Sequence, residues 1–119
     1  MAAAEQISDL ERGLLAGILI GEGHFGGDGR KPQITLRMHV RHAALFAWLQ
    51  ERFPRTRVYG PYEHGGRRYY QWMVRGVALV EDVLPLLEDV LSDELDAYAA
   101  ARMRAMRERY APFFARRER

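Results

Sequence analysis

Three glycines, Gly13, Gly17 and Gly21, recur at every fourth position of a segment that is otherwise helical in pattern. Ser8-Asp9-Leu10-Glu11 reads as a capping box, the Ser8 hydroxyl accepting from the Glu11 N–H while Glu11 reaches back. Leu10, Leu14 and Ile18, with Leu15 and Leu19, supply helical spacing, which predicts a helix over 9–21. Glycine in a helix interior costs about 1 kcal/mol relative to alanine, so a stripe of three needs a compensating gain. With Ala16 beside them, these glycines let a second backbone approach closely. That backbone is either the chain's own sheet or a second copy. Two such helices meeting at a dyad explain the stripe better, and one stripe per chain then implies a homodimer.

Downstream the periodicity changes. Ile34, Leu36, Met38 and Val40 alternate with Gln33, Thr35, Arg37 and His39, a strand over 32–40 with one buried face. Leu45, Phe46, Trp48, Leu49 and Phe53 return to helical spacing over 42–53, stopped by Pro54. Residues 57–63, a Gly65-Gly66 turn and residues 67–75 read as a hairpin. In its second strand Tyr70, Trp72 and Val74 face inward, and Gly60-Pro61 marks a possible bulge in the first. Residues 77–91 form a third amphipathic helix with its acids on the wet side, and Ser92-Asp93 caps a last one. The expected fold is α+β, αββαββα with an extra C-terminal helix. The 119 residues are expected to form one domain, with a core over about 8–91 and the C-terminal helix over about 93–115. Hairpin-linked strands are antiparallel, so helices should cover one sheet face and leave the other open.

Charge fits a polyanion on that open face. Residues 24–75 carry ten basic groups against Asp28, Glu51 and Glu63, whereas residues 76–98 carry seven acids and no basic group. Seventeen of the 18 basic residues are arginine, the side chain suited to bidentate contacts with phosphate and guanine. No cysteine is available for a disulfide or a thiolate zinc site. The longest apolar run, 14–20, is far short of the roughly 20 residues a bilayer span requires. A cytoplasmic protein with no membrane contact and no small-molecule substrate is the expectation. Gly21-x-Gly23-x-x-Gly26 spells a dinucleotide fingerprint, but it follows a helix and opens none.

The segment Leu15-Ala16-Gly17-Ile18-Leu19-Ile20-Gly21-Glu22-Gly23, followed by His24-Phe25, resembles the motif of the LAGLIDADG homing endonucleases. The likeness continues through Trp48-Leu49, Val58-Tyr59-Gly60, Tyr70-x-Trp72-x-Val74 and Leu84-Pro85-Leu86-Leu87, over roughly residues 10 to 91. It implies a site-specific double-strand DNA endonuclease that cuts a long near-palindromic site as a homodimer. Gly13, Ala16, Gly17, Ile20 and Gly21 would form the dimer interface. Glu22, with the Gly21 carbonyl, would hold Mg²⁺ or another divalent cation, an oxygen-donor pair suited to that ion. An acid at a helix C-terminus opposes the macrodipole, which argues that Glu22 is not there for stability. His42 would orient or deprotonate the attacking water, although a histidine at a helix start can equally be a cap.

The resemblance also assigns a DNA-reading face. It consists of His24, Gly26, Asp28 and Arg30 from the first strand, Gln33, Thr35, Arg37 and His39 from the second, and Arg57, Tyr59, Arg67, Tyr69, Gln71 and Arg75 from the other hairpin. Two departures matter. Ile20 stands where the motif has its first aspartate, and the only lysine, Lys31, is not where relatives carry an active-site lysine. They favour the alternative of a domesticated relative that binds DNA as a regulator without cutting it.

Overall fold

The computed structural model describes residues 6–117. Its elements are α1 (Asp9–Glu22), β1 (Gly23–Gly27), β2 (Pro32–His39), α2 (Ala43–Arg52), β3 (Arg57–His64) and β4 (Arg67–Arg75), then α3 (Leu84–Glu88), α4 (Asp93–Arg109) and α5 (Ala111–Arg117). A 3-10 turn, Val40–His42, leads into α2, and a π-helical stretch, Ala78–Val83, leads into α3. The αββαββα order with a helical tail is the one the sequence predicts.

α1 starts on its capping box, with both the Glu11 N–H to Ser8 Oγ and the Ser8 N–H to Glu11 Oε1 bonds at 3.1 Å. It ends abruptly. The Gly23 N–H still donates to the Leu19 carbonyl, yet Gly23 is already extended (φ −79°, ψ 157°) and begins β1. A Cβ at Gly23 would lie 2.7 Å from Leu19, so only glycine allows helix to become strand without a loop. Glu22 stands at that junction.

The four strands form one antiparallel sheet in the order β1-β2-β4-β3. Ile34, Leu36, Trp72 and Val74 point inward against Leu15 and Leu19 of α1, Phe46 and Leu49 of α2, and Leu79, Leu84 and Leu87. Met103, Met106, Phe113 and Phe114 of the tail complete that core. The predicted strand phase holds on β2 and β4. On β3 the register shifts between Tyr59 and Tyr62, the irregularity foreshadowed at Gly60-Pro61. No helix among the described residues is long and apolar enough to cross a membrane.

Three details differ from expectation. The third helix is not a regular one over 77–91, because Pro85 has no N–H to donate back; the chain takes a π-helical path to Val83 and α3 stops at Glu88. Its acids are not all wet, since Asp82 is 1% exposed and accepts a fork from Arg55, Nε to Oδ2 at 2.8 Å and NH2 to Oδ1 at 2.6 Å. The tail is not one helix either. α4 breaks at Asp96 (φ −159°, ψ 98°), whose carboxylate accepts from the Ala99 N–H, and the chain breaks again at Tyr110 before Pro112 opens α5.

Candidate nucleic-acid interface

Antiparallel register arranges the outward side chains of the sheet in rows. Gln33 stands opposite Arg75; His24, Thr35, Met73 and Arg57 make the next row; Arg37, Gln71 and Tyr59 a third; His39 and Tyr69 a fourth, joined by Tyr62. Arg37 Nε donates to Gln71 Oε1 at 2.7 Å, which holds both side chains upright over the sheet. The rows mix donors, acceptors and arginines on a twisted antiparallel surface, the chemistry needed to contact base edges and phosphates. Most of the residues assigned to this face thus lie together on it. Met73 and Tyr62 join them, and strand phase alone would have included Met73.

Asp28 and Arg30 lie elsewhere, because β1 ends at Gly27 and both fall in the turn to β2. The Asp28 carboxylate accepts from the backbone N–H of Arg30 at 2.8 Å and of Lys31 at 2.7 Å. Those two backbone bonds hold its carboxyl below the usual aspartate range. Asp28 therefore shapes the turn.

At the end of the sheet nearest Glu22, the surface opens into a cleft of about 710 Å³. Among the described residues Glu22 is its one acidic lining residue, and His39, His42 and His64 line it too. Around them stand Arg37, Arg41, Arg67 and Arg68. His64, Arg41 and Arg68 were not among the sequence-derived candidates. The β3–β4 turn and the 3-10 turn bring them to Glu22; Gly65-Gly66 marks the first turn but not what it approaches, and no motif marks the second.

The two turn histidines have different jobs. His39 is the cap, its Nδ1 accepting from the Arg41 N–H at 2.9 Å and from Arg41 Nε at 3.2 Å. Desolvation first, then the charges of Arg41, His42, Arg68 and Arg67, hold the His39 pKa below the ordinary histidine value. His42, at the N-cap position of α2, makes no side-chain capping bond, and its ring lines the cleft.

The tail reaches this region from behind. Arg102 of α4 donates to the carbonyl of Gly23, the residue after Glu22, and its guanidinium lies 5.4 Å from the Phe25 ring and 5.3 Å from that of Tyr98. Arg75 of the DNA-reading set pairs with Gln33 across the sheet and does not line the cleft.

Among the described residues no three His, Asp or Glu side chains converge on one point. Glu22 would therefore be one oxygen ligand of an ion completed by other donors. The Gly21 carbonyl lies past the last helical N–H, since Gly23 bonds to Leu19, and an oxygen so placed can serve an ion or water.

On α1, a Cβ built at Gly13, Gly17 or Gly21 meets nothing within 4 Å. The stripe therefore does not pack on the chain's own sheet. Leu10 (84% exposed) and Leu14 (49%) lie on the same helix as further uncovered apolar surface. Ala16 and Ile20 are turned the other way, Ala16 fully into the core and Ile20 partly against it. The bare surface is Leu10, Gly13, Leu14, Gly17 and Gly21.

No protein-family model matches the sequence. No curated protein matches it either. Among solved structures the chain is similar to the group I intron-encoded homing endonuclease I-CeuI, described in complex with DNA, with a TM-score of 0.60 at 19% identity. The match covers 92% of this chain and 55% of that one, so the chain spans about half the length of its structural neighbour. The helix-backed four-stranded antiparallel sheet is thus that of the LAGLIDADG homing-endonuclease fold.

Proposed function

We propose that this chain is a metal-dependent DNA endonuclease that acts as a homodimer on a long, near-palindromic duplex. The observation that carries the reading is the position of Glu22, where a polar, arginine-bearing sheet face runs into a cleft of histidines and arginines. A carboxylate that served only solubility would gain little from that place at the C-terminal end of a helix.

In this reading the sheet rows lie in the groove, and Arg37, Arg41, Arg67 and Arg68 hold phosphates near the scissile bond. Glu22 and the Gly21 carbonyl would hold a divalent cation such as Mg²⁺, with water and DNA phosphate completing its shell. When bound, the cation supplies charge neutralisation and a water of lowered pKa. His42 would accept through its ring nitrogen the proton lost as the water oxygen bonds to phosphorus; the bond from phosphorus to the leaving sugar oxygen breaks, that oxygen takes a proton from solvent, and the cleft arginines balance charge on the phosphate.

The uncovered α1 surface supports the dimer. Two copies packed through Gly13, Gly17 and Gly21 bury Leu10 and Leu14 and bring two Glu22 residues toward one duplex. A dimer of one chain reads a site with two-fold symmetry.

A second reading, a DNA-binding regulator that does not cut, is favoured by Glu22 being the one carboxylate among the described residues of the cleft and by Lys31, the one lysine of the sequence, lying outside it. One experiment separates the two: incubate the protein with a random-site plasmid library and Mg²⁺, then sequence the ends. New ends at a recurrent near-palindrome support the nuclease. Retention of selected sites without new ends, at any metal concentration, supports the regulator.

A further inference from the structure

The cleft and sheet leave part of the chain's basic charge unused. In the tail, Arg102 is committed to the Gly23 carbonyl, Arg104 to Asp93 at 3.0 Å and Arg107 to Glu88 at 2.9 Å. Arg109, Arg116 and Arg117 differ. They are exposed, and none has an acidic partner among the described residues. Arg109 lies 5.6 Å from the Tyr110 ring and Arg117 5.2 Å from that of Phe113, and both rings are buried.

Tyr110 joins this end of the tail to the β1–β2 turn. Its hydroxyl accepts from the Gly29 N–H at 3.1 Å. Gly27 packs so closely on the ring that a Cβ there would lie 2.4 Å from it. The turn with exposed Arg30 and Lys31, and the α4–α5 junction with Arg109, are therefore one fixed unit. Residues 28–31 and 108–117 together hold five cations against Asp28 and Glu108. Asp28 is already occupied by its own turn.

We propose that this junction is a second, outlying phosphate-binding surface for duplex DNA, formed by Arg30, Lys31, Arg109, Arg116 and Arg117. It rests on the DNA-binding reading above and extends it along the duplex. β1 separates the junction from Glu22 by about 17 Å, or about five base pairs of rise. Arginines supported on buried rings have fewer conformations to lose on binding, and clustered cations without acidic partners gain most from a polyanion.

The test is fluorescence anisotropy on a mixed-sequence duplex of about 40 bp across a NaCl series, since phosphate contacts appear in the salt slope. The full chain is compared with Arg109→Gln/Arg116→Gln/Arg117→Gln and with Arg104→Gln, whose arginine is ion-paired. Each phosphate left without its cation should lower the slope by about 0.9, so the triple variant should fall by up to about 2.7, with affinity down on the order of tenfold. Arg104→Gln should keep the wild-type slope. Arg30→Gln/Lys31→Gln should repeat the effect from the other side of the junction, with helicity by circular dichroism unchanged in every variant. A triple variant with the wild-type slope overturns the proposal, as does an Arg104→Gln decrease equal to the triple's per charge removed. Wild-type protein that fails to bind at any salt concentration brings down the DNA-binding reading itself, a result distinct from either.

Discussion

The guanidinium of Arg102 is bonded to the carbonyl of Gly23, so a helix that begins 70 residues further along the chain fixes the peptide next to Glu22. Arg102→Ala removes that bond and two ring contacts, at a cost of about 1–2 kcal/mol. Thermal melts should show the loss, and single-turnover cleavage should fall more than DNA affinity. Arg102→Lys can reach the carbonyl but cannot stack as a plane, so it should recover only part of the rate. Equal rates for all three proteins would remove any role for Arg102 in placing Glu22.

Gly17 separates the proposed interface from the fold. A side chain there meets nothing in the isolated chain, and leucine is the better helix former by up to about 1 kcal/mol. Gly17→Leu should be at least as stable in helicity and melting, yet run as a monomer in size-exclusion chromatography with light scattering. If it remains dimeric, the stripe is not the contact.

Glu22→Gln keeps size and hydrogen-bonding reach but deletes the negative charge. Cleavage with Mg²⁺ should drop by more than the roughly 10–100-fold that loss of an outer-shell partner of a metal ligand causes, while duplex affinity holds or improves as a repulsion from phosphate disappears. Wild-type cutting rates in a gel assay would place the chemistry elsewhere.

Arg55 shields a carboxylate that has left water. Its fork onto Asp82 joins the α2–β3 connection to the π-helical stretch, and the pairing raises the Arg55 pKa well above its ordinary value. Arg55→Ala leaves the Asp82 carboxylate buried without its cation, so the urea midpoint should fall clearly, by less than for a fully buried pair because Arg55 is half-exposed. A loss no larger than that of an ordinary surface substitution would mean that water already serves Asp82.

His39 should titrate below ordinary histidine in NMR pH titrations. With the folded pKa depressed, its contribution to stability is present above about 6.5, the unfolded value, and is lost as pH falls through the folded pKa. Protonation at Nδ1 takes away the acceptor that holds Arg41, so the 3-10 turn should loosen over the same range. An elevated His39 pKa would contradict this cap geometry.

Much of this could be read from residues alone, for identifiable reasons. The strand phase on β2 and β4 follows from alternation so regular that a one-residue slip would bury Arg37 and expose Trp72. The α1 boundaries follow from Ser8, Glu11 and Gly23, whose backbone preferences are local. The cleft was harder, because His64 and Arg68 reach Glu22 only through a hairpin whose twist and bulge are set by tertiary pairing. The role of Asp82 was invisible for a similar reason, since its partner lies 27 residues away and nothing in the acid run marks the member that turns inward. Ala16 and Gly17 are neighbours of similar size, and only the orientation of the helix on the sheet assigns one to the core and the other to the surface.

The Tyr110 clasp on the β1–β2 turn restricts how the proposed DNA-contacting face could be reprogrammed. Gln33, Thr35 and Gln71 project from strands whose backbone is fixed by their neighbours, so their side chains can be exchanged in a library with the scaffold intact. Gly27 and Gly29 cannot join that library, because one has no room for a side chain beside the ring and the other offers its N–H to the hydroxyl with φ at +94°. A designer who lengthens this turn to read more bases must bring the last two helices along.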